Sequence, residues 1–143
     1  MRLTRLGGVL TASVMCRYGP GINAVGQPNI RLLTDPETLD LWKVVSDGDL
    51  PAFPSQAVWV YHPAMHLLSA EEIASLLTKY GCKVLEIAGF NATATEGSPA
   101  METVALDPKT WDTAVELERR LNTVPGLIES GGHIIVAAHR KPL

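Results

Sequence analysis

Two histidines lie close enough in the sequence to serve one site. His62 and His66 flank residues 63–65, immediately ahead of a helix start. An imidazole titrates near neutral pH, so either ring could accept a proton from an oxygen nucleophile or orient it by donating a hydrogen bond. The alternative is that both rings bind backbone groups of a loop. Metal ligation would need further Cys, His or carboxylate partners, and no spacing in the sequence provides them.

A second candidate group follows the first predicted strand, residues 9–15. Cys16, Arg17 and Tyr18 come directly after it, and open α/β sheets bind ligands at the carboxyl ends of their strands. Arg17 and Tyr18 are therefore candidate substrate-binding residues, with a solvated loop position as the alternative. A cysteine is more often a small buried apolar residue, and we favour that role for Cys16.

The composition excludes several classes of protein. The chain has 143 residues, 46% of them hydrophobic and 19% charged, which predicts a single domain over residues 1–143. A net charge of −3 without a basic run argues against binding to nucleic acid or to an anionic membrane. No apolar run of about 18 residues is present, so no membrane span is expected. Two cysteines cannot form the disulfide framework of small secreted domains, which favours a reduced, cytoplasmic protein.

The amino-terminal segment predicts a buried strand. Residues 9–15 are mostly apolar and follow a Gly-Gly turn, a pattern that suits a parallel strand buried on both faces. The same segment, with its basic start, could also be a signal peptide, although large residues stand where small ones should flank the cleavage site. Residues 17–31 are interrupted by Gly and Pro and predict an irregular or ligand-facing loop.

Three helices are predicted from their ends. Asp35 is expected to cap the first, with Pro36 in the first helical position and Gly48 after its end. Its buried face should carry Leu39, Trp42 and Val45. The second begins at a capping box, Ser69 to Glu72, and ends at Gly81. Its buried stripe should carry Ile73, Leu76, Leu77 and Tyr80.

The third predicted helix begins with Asp107 as its cap and Pro108 in the first helical position. Trp111 should lie on its core face, and Glu116 and Arg120 are spaced for a supporting ion pair. Residues 83–88 and 133–139 predict two further strands. The order of elements is therefore strand, long insertion, helix, strand, helix and strand, as in an α/β protein.

This order, together with three local runs, resembles one family. Residues 5–14 (RLGGVLTASV) resemble the turn into the fifth strand of class I S-adenosylmethionine-dependent methyltransferases, where a Leu-Lys-Pro-Gly-Gly run precedes a hydrophobic strand. Residues 69–85 are similar to the helix and sixth strand that follow. Residues 131–142 are similar to the closing seventh strand with its basic end.

The resemblance implies a partial Rossmann-like sheet, namely a mixed three-stranded core with helices, in which residues 16–68 form a lid-like insertion. In the family's sheet the fifth strand lies between the fourth and the seventh, and the seventh pairs antiparallel with its neighbours, so the strand at residues 9–15 should lie beside the last strand. The resemblance also implies a small-molecule acceptor, with His62 and His66 over its pocket. The wall of that pocket would contain Trp59, Tyr61 and Met65.

The chain departs from the family in one respect that concerns the cofactor. The resemblance implies S-adenosylmethionine, which the family holds mainly through a Gly-rich turn and an acidic residue of its first half, whereas the resemblance here begins at the fifth strand. The glycine clusters at residues 19–21 and 131–132 are not expected to open a helix directly after a strand. The chain is therefore expected to contribute the acceptor side without the usual cofactor-binding half.

The same departure predicts a partner. A strand at residues 9–15 that lacks one neighbour has a bare edge, which should pair with a second copy in a homodimer or with another chain. Two alternative functions remain: a non-catalytic binding subunit of a methyltransferase, or a cofactor-independent cyclase or isomerase that uses His62 or His66 as acid and base.

Overall fold

The computed structural model describes residues 4–26, 40–52, 63–90 and 99–141, which form a mixed α/β structure. Its strands are β1 (Val9–Met15), β2 (Asp49–Leu50), β3 (Met65–His66), β4 (Cys82–Phe90) and β5 (His133–Arg140). Its helices are α1 (Gly19–Gly26), α2 (Leu41–Asp47), α3 (Ala70–Lys79), α4 (Pro99–Leu106) and α5 (Pro108–Leu121). None of these described helices has both the length and the apolar character needed to cross a membrane.

The main sheet has the strand order β1-β5-β4. The amino-terminal strand lies beside the carboxy-terminal one, as expected, with Val9 opposite His139 and Met15 opposite His133. Both ladders are antiparallel, as the resemblance implied for the last strand and its neighbours, so the three-stranded sheet is antiparallel and not mixed. The central position goes to β5, whose Ile134, Val136 and Ala138 are buried.

Strand β1 is half-buried, and the expectation of burial on both faces is wrong. Leu10, Ala12 and Val14 pack against the core of the sheet, whereas the alternate residues Val9, Thr11 and Ser13 are exposed. This alternation is typical of an antiparallel strand with one face on a core. Short apolar runs do not distinguish that arrangement from a fully buried strand.

The segment after β1 is regular where a loop was expected. Residues 19–26 form α1, whose first turn is closed by a hydrogen bond from the Ile22 amide to the Tyr18 carbonyl. Pro20 is compatible with this position because the first amides of a helix have no intrahelical acceptor. The remainder of the expected loop lies outside the described residues.

Helix α2 ends as predicted but buries a different residue. Asp40 caps its amino terminus by accepting from the Lys43 amide, and Gly48 follows its end with φ +81°. The predicted cap at Asp35 lies outside the described residues. Val44 is buried, whereas Trp42 is 86% exposed, so the predicted core position of Trp42 is wrong. The apolar residues that α2 contacts lie on the Val44 side, at Leu50 and Leu67.

Helix α3 has the predicted capping box. The Ser69 side chain accepts from the Glu72 amide, and the Glu72 carboxylate accepts from the Ser69 amide at 2.8 Å. Ile73 and Leu77 pack on the sheet, but Leu76 and Tyr80 are exposed, so the buried stripe is narrower than predicted. Gly81 has φ +76°, as its place after the helix indicated.

Helix α5 has the predicted amino-terminal cap and the predicted ion pair, but its expected core face is not buried. Asp107 accepts from the Thr110 amide at 3.0 Å, and Arg120 Nε donates to Glu116 at 2.7 Å. Trp111 is 44% exposed and none of the described side chains of α5 is buried. The predicted core role of Trp111 is therefore wrong, because among the described elements α5 packs mainly on helix α4 and not on the sheet.

Two apolar clusters meet at residues 67–68. One joins α3 to the main sheet, and the other joins α2 to the small β2–β3 ribbon. Leu67 is fully buried in the ribbon cluster, while Leu68 packs against the sheet cluster. Burial of a leucine side chain contributes about 1.5–3 kcal/mol. These two leucines therefore fix the ribbon next to the carboxyl end of β1.

Candidate functional site

Backbone hydrogen bonds fasten the β2–β3 ribbon to the end of β1 and join the two strands of the ribbon to each other. The Leu68 amide donates to the Met15 carbonyl at 3.1 Å, and the Arg17 amide donates to the Leu68 carbonyl at 3.1 Å. The Leu67 amide donates to the Gly48 carbonyl at 2.8 Å. The ribbon is therefore held at the end of β1, the sheet edge where the sequence placed candidate ligand contacts.

Within the ribbon, an aspartate and a histidine form a pair across the two strands. Asp49 lies directly opposite His66 in the antiparallel register, and His66 Nδ1 lies 2.8 Å from Asp49 Oδ1. A carboxylate can only accept, so the ring proton is assigned to Nδ1 and the lone pair of the neutral ring to Nε2. This arrangement orients an imidazole to act as a base through Nε2.

The Asp49–His66 pair lines a cavity of about 470 Å³. The polar side chains that line it are Asp40, Lys43, Asp49 and His66. Its apolar lining includes Val44, Leu50 and Met65. These residues give the cavity an apolar floor with a few polar groups, and because it is widely open to solvent a small organic molecule would be only partly enclosed there.

The pair stands at the open rim of this cavity. The side chains of His66 and Asp49 are 49% and 70% exposed, so a dissolved molecule can reach the ring. An exposed pair of this kind contributes about 0–1 kcal/mol to folding. Loss of either partner should therefore affect chemistry at the cavity more than it affects stability.

The other predicted site residues are divided among several environments. Met65 lines the cavity with His66. Tyr18 is half-buried and its carbonyl accepts from the Ile22 amide. Arg17 forms an ion pair with Glu72 and has a side chain only 13% exposed. Among the described residues, neither Arg17 nor Tyr18 lines this cavity. The three remaining candidates, Trp59, Tyr61 and His62, lie outside the described residues.

The Glu72 carboxylate holds both the start of α3 and Arg17. Partial burial raises its pKa, but hydrogen bonds from Ser69 and the charge and hydrogen bond of Arg17 outweigh this effect, so the pKa lies below its ordinary value. One oxygen accepts from the Ser69 amide and the other from the guanidinium. Glu72 is therefore ionised at neutral pH with both oxygens engaged.

Cys16 is fully buried, as the sequence favoured. Burial raises the pKa of its thiol and outweighs the hydrogen bonds from the backbone at Tyr18 and Gly19. Its Sγ lies 3.5 Å from the Glu129 carbonyl oxygen. A buried thiol with a raised pKa is a poor nucleophile.

The glycine cluster after β1 differs from the expectation both in where it lies and in what it contacts. Gly19 opens α1 four positions after the last residue of β1, so this cluster does open a helix after a strand. However, a Cβ added at Gly19 would lie 3.2 Å from the Gly132 Cα. The close approach that a nucleotide-binding glycine offers to a ligand is occupied here by the backbone of Gly132. This turn therefore does not fit the predicted cofactor.

Within the described ranges, no three His, Cys, Asp or Glu side chains come together in a way that could hold a metal ion. In comparisons with known proteins, no family model matches the chain and no curated protein matches it. The methyltransferase resemblance therefore rests on the three sequence runs given above.

Sequence reasoning selected His66 but missed Asp49. The two residues are 17 positions apart, and only the register of the ribbon makes them neighbours. The available local signal was Gly48, which predicted the end of a helix immediately before Asp49.

Proposed function

We propose that this chain forms the acceptor side of a methyltransferase-like enzyme that acts on the hydroxyl group of a small molecule. In this proposal His66 is the general base and Asp49 orients it. The observation that carries the proposal is the 2.8 Å contact between His66 Nδ1 and Asp49 Oδ1 at the rim of the cavity.

The proton transfer involves only side chains of this chain. An acceptor seated on the apolar floor would present its hydroxyl to His66 Nε2, which takes the proton as the oxygen becomes nucleophilic. Asp49 keeps the proton on Nδ1 and stabilises the imidazolium that results. Both effects stabilise the transition state, in which charge develops on the reacting oxygen. An interaction that is stronger in the transition state than in the bound substrate accelerates the reaction.

The strand order supports the family part of this proposal. A closing strand placed antiparallel beside the amino-terminal strand is what the resemblance implies, and β5 and β1 have that relation. Residues 69–85, which resemble the helix and sixth strand, contain α3 and the start of β4 beside β5. The turn at Gly19 does not fit S-adenosylmethionine, so a partner chain would hold the cofactor.

The proposed route for that partner is the outer edge of β1. The Cys16 amide donates to the Gly132 carbonyl, so even-numbered residues of this strand direct their backbone groups toward β5 and odd-numbered ones away from it. No hydrogen bond from the described residues reaches the outer side of Val9, Thr11 or Ser13. An edge without charge or proline is open to pairing, with a second copy or with another chain.

One observation favours a second candidate. The Asp49–His66 pair can exchange protons without any cofactor, and the Gly19 turn is filled by the Gly132 backbone. A cofactor-independent cyclase or isomerase acting at the same cavity is therefore the alternative function, with the same two residues in the same roles.

Binding experiments test these proposals separately. Calorimetric titration of S-adenosylmethionine into the isolated chain is expected to give no heat of binding. A saturable heat would contradict the assignment of cofactor contacts to a partner.

Amide NMR spectra recorded with phenol, benzyl alcohol and cyclohexanol are expected to show saturable shifts at Val44, Leu50 and Met65. The absence of such shifts for all three probes would remove the acceptor site.

Variants of the pair then test the base. Once an acceptor is found, His66→Gln should abolish most turnover, and Asp49→Asn should lower kcat with little change in KM, because it acts on the ring and not on the ground-state complex. The matched control is His133→Gln. The His133 ring contacts Phe90 edge to face, with 6.3 Å between the ring centres. Full activity of His66→Gln would rule out His66 as the base.

The edge proposal has its own test. Thr11→Pro removes an amide that points away from β5 and should therefore leave the β1–β5 ladder intact. Sedimentation is expected to show that the wild-type chain self-associates at high concentration and that Thr11→Pro does so less. A strictly monomeric wild-type chain would favour a different partner chain over the homodimer.

A further inference from the structure

We propose that Arg17 is a positioning residue for the Asp49–His66 pair, which it sets by joining the start of α3 to the turn that precedes β2. This inference rests on the proposed function, in which the same pair is the base. It gives Arg17 a role that differs from the substrate contact expected from the sequence.

The side chain of Arg17 touches both structures that it is proposed to join. On one side its Nη2 forms the ion pair with Glu72, and on the other its Nη1 lies 3.5 Å from the Ser46 carbonyl oxygen. A Cβ added at Gly48 would lie 3.1 Å from Arg17 Nε and Nη2. The guanidinium therefore packs directly against the backbone of Gly48, and the next residue in the chain is Asp49.

The backbone of Arg17 touches the second strand of the ribbon. Its amide donates to the Leu68 carbonyl at 3.1 Å, while the Leu67 amide donates to the Gly48 carbonyl at 2.8 Å. Arg17 thus contacts the residue before Asp49 through its side chain and a residue two positions after His66 through its amide. A shift of Arg17 would move both strands at the point where Asp49 faces His66.

The anchor of Arg17 is itself fixed. Glu72 is held in the capping box by the Ser69 amide at 2.8 Å, so the carboxylate that binds the guanidinium cannot follow a moving loop. Arg17 Nε is buried and has no hydrogen-bond partner among the described residues. A buried donor without a partner is unfavourable, so Nε gains no hydrogen bond from its place against Gly48, and the side chain is held there through Nη1 and Nη2.

The planar guanidinium is suited to this role, and a lysine is not. A guanidinium can contact Glu72 with one end while its flat face packs on a glycine, whereas an ammonium is a compact point charge on a flexible stem. Arg17→Lys should therefore keep the positive charge and lose the fit at Gly48. The matched control is Arg120→Lys, because Arg120 also pairs with a glutamate, Glu116 on α5.

The test measures the tautomer of His66 through the ring ¹⁵N shifts, a readout that needs neither cofactor nor acceptor. The wild-type ring is expected to give the shifts of the Nδ1–H tautomer, and Asp49→Ala defines the shifts of the released ring. Arg17→Lys is expected to move both nitrogen shifts toward those of Asp49→Ala, whereas Arg120→Lys should leave them at wild-type values.

Each outcome decides one question. If Arg17→Lys folds and its His66 shifts stay at wild-type values, the positioning role is overturned. If Arg17→Lys does not fold, Glu72→Gln replaces it with the same expectation, since glutamine can still accept from the Ser69 amide. If Asp49→Ala itself leaves the ring shifts unchanged, the Asp49–His66 pair and the proposed function fail together, which is a distinct result.

Discussion

Replacing Gly48 with alanine tests the crowded junction on which the candidate site depends. Gly48 and Gly81 both follow helices and have nearly the same positive φ, +81° and +76°. They differ in their surroundings. A Cβ at Gly48 would lie 2.5 Å from the Leu67 carbonyl oxygen, whereas a Cβ at Gly81 would meet nothing within 4 Å. The difference between the two variants therefore isolates the close approach from the backbone strain.

The expected magnitudes follow from separate contributions. Alanine at positive φ costs about 1–2 kcal/mol, of which about 0.4–1 kcal/mol is offset by the smaller entropy of the unfolded chain. Gly81→Ala should therefore lower the free energy of unfolding by about 1 kcal/mol. At Gly48 the Leu67 carbonyl must also move, which disturbs the Leu67 to Gly48 hydrogen bond and adds about 1–3 kcal/mol. The expected loss for Gly48→Ala is about 3 kcal/mol.

Urea unfolding of the wild-type protein and both variants measures these free energies. A lower midpoint at an unchanged slope would show that stability, and not the extent of unfolding, has changed. Equal losses for Gly48→Ala and Gly81→Ala would refute the reasoning, because the contact between Gly48 and Leu67 would then contribute nothing.

Three further changes are predicted. Ser69→Ala should lower the free energy of unfolding by about 1 kcal/mol, since it removes the capping side chain of α3, and it should speed amide hydrogen exchange in the first turn of α3. The pKa of Glu72 is held below its ordinary value of 4.5, so its stabilisation is present above that pH and is lost as the pH falls through the folded-state pKa. Urea unfolding at neutral and acidic pH should therefore show a difference between wild type and Glu72→Gln that shrinks on acidification, and a constant difference would contradict this assignment. Cys16, buried and with a raised pKa, should react with a thiol reagent in the native protein much more slowly than in urea; equal rates would show that it is accessible.

The features that the sequence predicted correctly are those fixed within a few residues. Ser69 caps the amide of Glu72 three positions away, and Asp107 caps that of Thr110 in the same way. Gly48 and Gly81 end helices because their positive φ is unfavourable for other residues. These interactions depend little on what the rest of the chain does, so the local pattern was sufficient.

The features that the sequence missed depend on distant partners. Trp42 and Val44 are both apolar residues of α2, and only the position of Leu50 and Leu67 decides which of them is buried. Asp49 faces His66 only in the observed register of the ribbon, and a shift of the register by one residue would move the two side chains to opposite faces. A composition or periodicity argument contains no information about such a register, which is why half of the pair was predicted and the other half was not.

The ribbon that carries Asp49 and His66 consists of two residue pairs, whereas each ladder of the main sheet has seven or more. So short a ribbon has few hydrogen bonds between its own strands. Its two strands stay paired because Leu67, Gly48 and Arg17 attach them to larger elements. Opening it should require less free energy than melting the sheet. On warming, the imidazole would lose its carboxylate while the rest of the protein stays folded, so the temperature limit of the site would lie below that of the fold.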